Sequence, residues 1–278
     1  MRRGYADTAV GQVHYREAGE GEVVVLLHQT ASSSIMYYRV MPYLAGRFRV
    51  VAMDTPGFGN SDALAGPPGP EGFIAQYAQA LEGLLDHLGA ERASLVGTRT
   101  GASIALELAA TRPQRVRRLV LACTLFLQTQ ADRDEWEAFT VPKPWAPDGK
   151  GEFLAQLVPD WVRYFAREED GEQFSLELQA ALQAGPTYWW AYRSVVAHDA
   201  YAALPRVQAP ILFVNPLGDS QYDLTRRAQL ATPGSRYVEI PGPREDIPGW
   251  VGVTTEFPRE FAEPIAAFLG EPGPAPAR

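Results

Sequence analysis

The stretch Ala93-Ser-Leu-Val-Gly-Thr-Arg-Thr-Gly-Ala-Ser-Ile-Ala-Leu-Glu-Leu-Ala-Ala-Thr-Arg112 decides the fold. An apolar run from Ala93 to Val96 stops at Gly97. From Gly101 a pattern rich in Ala and Leu follows at helical spacing until it meets Pro113. Strand, tight turn and helix, with a glycine two positions either side of one residue, is the layout of a nucleophile elbow. The glycines let the turn be sharp and let strand and helix backbones approach closely. The central side chain is then thrust out at the carboxyl edge of a sheet. Here that residue is Arg99, whose guanidinium carries donors only and cannot attack a carbonyl carbon. The mount of a nucleophile is present and the nucleophile is missing.

Outward from the elbow, strands and helices alternate. Glu22–His28, Arg49–Asp54, Val116–Cys123, Pro210–Asn215 and Arg236–Ile240 read as strands, most as continuous apolar runs buried on both faces. Helical patterns cover roughly 33–45, 71–88, 222–231 and 256–269. Residues 8–17 alternate and Gly19 with Gly21 makes a turn, which predicts a first antiparallel pair. Between 124 and 204 no buried strand is found, only short helical patterns broken by Pro142, Pro144, Pro147, Pro159 and Pro186. This alternation predicts an α/β domain, a mainly parallel sheet with helices on both faces. Residues 1–123 and 205–270 form its core, 124–204 a helical lid over the carboxyl edges of the strands, and 271–278 a flexible tail.

The totals narrow the function classes. A net charge of −8 over 278 residues argues against a nucleic-acid or anionic-membrane surface. One cysteine, Cys123 in an apolar run, excludes an internal disulfide, and four scattered histidines offer no metal-ligand spacing. No run approaches the ~18 apolar residues of a membrane span, and no secretory signal follows Arg2 and Arg3. The expectation is a cytoplasmic protein without metal or cofactor whose partner is a small molecule, with a homodimer left open.

At four places, in order, the chain resembles the α/β-hydrolase fold superfamily, in its lidded small-molecule form. Leu27-His28 is similar to that family's His-Gly oxyanion strand. Asp54-Thr-Pro-Gly-Phe-Gly-Asn-Ser61 matches the D-x-P-G-x-G-x-S loop. Gly97-Thr-Arg-Thr-Gly101 occupies the elbow, and Pro210-Ile-Leu-Phe-Val214 looks like the strand that delivers the acid. The departures carry the functional information. Arg99 replaces the nucleophile, and Gln29 follows His28 where Gly is usual. The acid falls on Asp219, or on Asp223 in another register. The catalytic histidine is due between Pro241 and Glu256, where none occurs; Glu245 pairs best with its position, with Asp246 and Trp250 as other registers. A Ser-His-Asp mechanism needs a hydroxyl and an imidazole in contact, so the triad is degenerate and that route is excluded.

The resemblance then implies a pocket floored by Arg99. The guanidinium either grips an oxygen of a ligand or forms a salt bridge to Asp219 or Glu245 that plugs the site. Glu245 or Asp219 would move protons, and the backbone N–H groups of Thr30 and Thr100 would still make an oxyanion hole. His28, Gln29, Thr98, Trp189, Tyr192 and His198 complete the candidate lining, each with a structural reading beside it. The expected function is an enzyme on a small, partly apolar substrate, by direct water attack on an ester or lactone or by a lyase, decarboxylase or isomerase step. The alternative is a non-catalytic binding protein that keeps the pocket.

Overall fold

The computed structural model describes residues 1–69, 71–140, 147–162, 171–242 and 252–271. Eight strands form one sheet: β1 (Arg2–Thr8), β2 (Gly11–Ala18), β3 (Val23–Leu27), β4 (Arg49–Met53), β5 (Ala93–Thr98), β6 (Val116–Ala122), β7 (Ile211–Pro216) and β8 (Arg236–Ile240). Their order is β1-β2-β4-β3-β5-β6-β7-β8. The pairs β1–β2 and β2–β4 are antiparallel and the rest parallel. The antiparallel pair therefore differs from the expected one. β2 pairs with β1 across a turn at Ala9 and Val10, and the Gly19–Gly21 turn carries the chain past β4 to β3.

Because side chains alternate across a strand, each apolar run feeds two cores. Val25, Leu27, Val51, Met53 and Leu95 pack on one face with α2 (Ile74–His87) and α3 (Thr100–Thr111). Val24, Leu26, Val50, Ala52 and Val96 pack on the other with α1 (Met41–Ala45) and α11 (Pro258–Leu269). Helix α3 is buried almost all round, which is why its sequence is apolar on every face rather than striped.

The helix expected over 33–45 is two pieces. A single turn of 3-10 helix spans Ser34–Tyr37, capped by the Ser33 side chain, and α1 begins at Met41 with Pro42 in its first turn. Proline lacks an N–H and starts a helix more readily than it continues one. Strand β6 stops at Ala122, because Cys123 turns to φ 48°.

The regular structure described between β6 and β7 is helical: α4 (Gln130–Thr140), α5 (Leu154–Val162), α6 (Gly171–Ala184), α7 (Trp189–Ala197) and α8 (Ala200–Ala203). This insertion is tied to the sheet layer by polar contacts. The Ser194 hydroxyl accepts from the Phe73 N–H at 2.8 Å, and Tyr192 donates to the Thr30 carbonyl at 2.9 Å. Helices α9 (Tyr222–Leu230) and α10 (Val253–Glu256) complete the fold. Among the described residues no helix is long and apolar enough to cross a membrane.

Candidate active site

Arg99 sits between β5 and α3 at φ 53°, ψ −113°, a region that costs a non-glycine residue on the order of 1–3 kcal/mol. The surrounding backbone imposes it. A Cβ on Gly97 would lie 2.3 Å from the Gly101 carbonyl oxygen and 2.5 Å from the Ala102 nitrogen. One on Gly101 would lie 2.0 Å from the Leu27 carbonyl oxygen. Both glycines are therefore fixed by close approach of β3, β5 and α3, as the elbow reading requires.

The guanidinium meets a carboxylate. Arg99 Nη2 donates to Asp219 Oδ2 at 2.5 Å, and Nη1 lies 3.4 Å from the Ser220 hydroxyl. Asp219 arrives on the turn after β7 and is oriented by the Gln221 N–H, which donates to its other oxygen at 2.8 Å. The Arg99 side chain is 12% exposed and that of Asp219 1%. At such burial a cation or anion alone is costly, and each offsets the desolvation of the other. Of the two residues named as partners for Arg99, the structure brings up Asp219. Glu245, Asp246 and Trp250 lie outside the described residues. Asp223 lies in the first turn of the helix Tyr222–Leu230.

Cys123 belongs to the same corner. Burial and the Asp219 carboxylate both push its thiol pKa well up, against the Arg99 charge, so it is a neutral packing group. It and Arg99 are the non-glycine residues with positive φ among those described, and they stand at the ends of adjacent strands.

Across the elbow, the Thr30 and Thr100 hydroxyls touch at 2.7 Å, both buried. Their pairing holds the loop after β3 against the first turn of α3. Thr100 is the first residue of α3, and the first N–H groups of a helix have no partner within it. Gln29 is buried beside Thr30, and its Oε1 has no hydrogen-bond partner.

Other candidates are taken up elsewhere. Thr98 is fully buried and bonds the Tyr37 hydroxyl at 2.9 Å, behind the elbow. His28 ties two loops, bonding the Gln29 carbonyl through Nδ1 (2.7 Å) and accepting the Thr55 N–H at Nε2 (2.9 Å); burial holds its pKa down. His198 is not brought to Arg99. Its Nε2 bonds Glu107 of α3 at 3.1 Å, fastening the insertion to the helix flank. Tyr192 reaches Thr30 through its hydroxyl, and Trp189 packs edge-on to Trp190, its side chain half-buried. His14 and His87 are engaged with Asp54 and Tyr15. Every histidine of the chain thus has a partner other than Arg99 or Asp219.

Asp54 anchors the loop after β4. It accepts from His14 Nδ1 (2.7 Å), Ser34 N–H (2.6 Å) and Asn60 N–H (2.9 Å). Burial alone would raise its pKa, but these bonds outweigh it and hold the carboxyl at about 2. Gly59, at φ 55°, leaves room for that carboxylate, which an added Cβ would meet at 2.1 Å. The loop motif is a structural clamp with a buried anion at its centre.

Fold and site together define a class: a mostly parallel-sheet protein with a strand–turn–helix elbow at its carboxyl edge and a helical insertion beside it. A family model described as alpha/beta hydrolase fold matches residues 22–189, and the chain belongs to that family. It is 40% identical over 113 residues to a 2-hydroxy-6-oxo-6-phenylhexa-2,4-dienoate hydrolase of Comamonas testosteroni, over 39% of this chain and 38% of that protein. It is 32% identical over 161 residues to haloalkane dehalogenase 2 of Mycobacterium tuberculosis strain H37Rv, over 55% of this chain and 54% of that one. The matches thus span about half or less of these curated relatives. Among solved structures, the enol-lactonase from Burkholderia xenovorans LB400 superposes with a TM-score of 0.78 at 22% identity, over 96% of this chain and 100% of that one. That likeness is one of fold.

Proposed function

We propose that this protein is a small-molecule hydrolase of the α/β-hydrolase family that works without a covalent acyl-enzyme, on a partly apolar ester- or lactone-like substrate. The observation that carries the reading is the Arg99–Asp219 pair at the elbow, a fixed cation where the family mounts its attacking atom. Held by Asp219, the guanidinium presents its charge to the substrate's carbonyl oxygen and stabilises the oxyanion as it forms. The Thr30 and Thr100 N–H groups add donors to that oxygen. Water attacks the carbonyl carbon and gives one proton to Glu245; the C–O bond of the leaving group breaks and the departing alkoxide takes that proton back from Glu245. The relatives named as hydrolases, one of them acting on a dienoate, support a carboxylate-bearing or carbonyl-bearing substrate. A lyase, decarboxylase or isomerase step would use the same oxygen-binding group.

A second reading, a binding protein that has lost its chemistry, is favoured by the buried Asp219 carboxylate already bonded to the guanidinium. Turnover separates them. On a panel of aryl esters and lactones, Arg99→Ala and Glu245→Gln should each lower kcat about 10²–10³-fold, the worth of an oxyanion donor or base, with circular dichroism unchanged. Recovery of every bound compound intact, with affinity alone altered by the two substitutions, establishes the second reading instead.

A further inference from the structure

Helix α6 buries a polar face. Gln173, Glu177, Ala180, Ala181 and Ala184 point inward while Phe174 and Leu176 stay half-exposed. Glu177 is 2% exposed and Gln173 and Ser32 are 0% exposed. Gln173 Nε2 donates to Glu177 Oε1 at 2.7 Å, and the Ser32 hydroxyl lies beside the same carboxyl. Three oxygens of this group, Glu177 Oε2, Gln173 Oε1 and Ser32 Oγ, are buried and make no hydrogen bond of ordinary geometry, the contact of Ser32 with the carboxyl being a looser polar one. The cluster is short of donors. The Ser32 proton can serve one oxygen, and a proton on Glu177 adds the donor that an ionised carboxylate lacks.

We propose that Glu177 is a positioning residue that, as a neutral carboxylic acid, clasps α6 to the loop 29–34 bearing Gln29 and Thr30. Opening of the clasp and loss of the proton are linked. This assignment does not depend on which reaction the site performs, because the clasp exists without substrate.

Burial raises the Glu177 pKa to about 7, against the weaker pull of Ser32 and Gln173 toward ionisation. Among the described groups, Tyr37 faces it from the 3-10 turn, its phenol kept neutral by burial. Glu172 and Arg39, 4.0 Å apart, lie at the exposed start of α6. No cation acts on Glu177 among the described residues. The sign follows from linkage. An opened clasp has a carboxyl pKa near 4.5, so between that value and about 7 the closed form holds a proton the open form has lost. Opening therefore becomes easier as pH rises through this window and levels off above it.

Backbone hydrogen exchange, corrected for intrinsic rate, tests this on peptides covering 29–36 and 171–184. Wild-type protection should fall about fortyfold between pH 5 and 7, most steeply near the middle of that range, and then level off. Glu177→Gln, which keeps the shape and cannot ionise, should be flat. Carbon-13 carboxyl titration of the wild-type protein supplies a reading that needs no variant, with a Glu177 midpoint near 7. Identical pH profiles in wild type and Glu177→Gln, or a Glu177 midpoint near 4.5, would overturn the proposal.

Discussion

Gly101→Ala is expected to lose about 3 kcal/mol or more of stability, or to fail to fold, although alanine is the better helix former by about 1 kcal/mol. Helix propensity and packing make opposite predictions here, and packing wins by distance. The new Cβ would sit 2.0 Å from the Leu27 carbonyl oxygen and 2.4 Å from its carbon. Both are backbone atoms of β3, paired on each side to β4 and β5, so neither can step aside as a side-chain tip could. Gly46→Ala is the control. Gly46 has φ −70°, with nothing within 4 Å of an added Cβ, and should move the urea midpoint little. A Gly101→Ala midpoint equal to wild type would mean that β3 and α3 do not approach as described.

The second large effect concerns the charge pair. Asp219→Ala removes the acceptor 2.5 Å from a guanidinium only 12% exposed, and a loss of about 3–5 kcal/mol is expected. Arg99→Leu leaves Asp219, 1% exposed in its side chain, without its cation and should also destabilise. The double substitution should cost clearly less than the two single losses added together, because each residue offsets part of the other's desolvation. Denaturant melts of the four proteins read this out. Additivity within about 0.5 kcal/mol would show that the two groups do not depend on each other.

Much of this arrangement is legible in the chain. The elbow is, because only close backbone approach explains glycines at both 97 and 101 in otherwise apolar elements. The parallel strands are, because burial on both faces leaves continuous runs such as Val23–Leu27. The edge pairing is not: β2 alternates in a way that fits β3 or β4 equally, and the order is set by packing across the sheet. Asp219 is named in advance only as one of two partners for Arg99, since spacing along a loop does not fix which carboxylate reaches the elbow. Glu177 escapes notice because a glutamate among Phe174, Leu176 and Leu178 reads as the wet side of an amphipathic helix. The signal lay in Ala180, Ala181 and Ala184: stepped back by turns of helix, their face runs through Glu177 and Gln173. His198 looks like a residue a lid could lower into the site, and nothing in its neighbours announces that Glu107 of α3 is waiting for it.

Everything functional above rests on a cation, and no attacking hydroxyl or thiol, standing at the bend between β5 and α3. Incubating the purified protein with an excess of a fluorophosphonate and weighing it intact addresses this directly. The account predicts the unmodified mass; a stoichiometric phosphonyl adduct would contradict it.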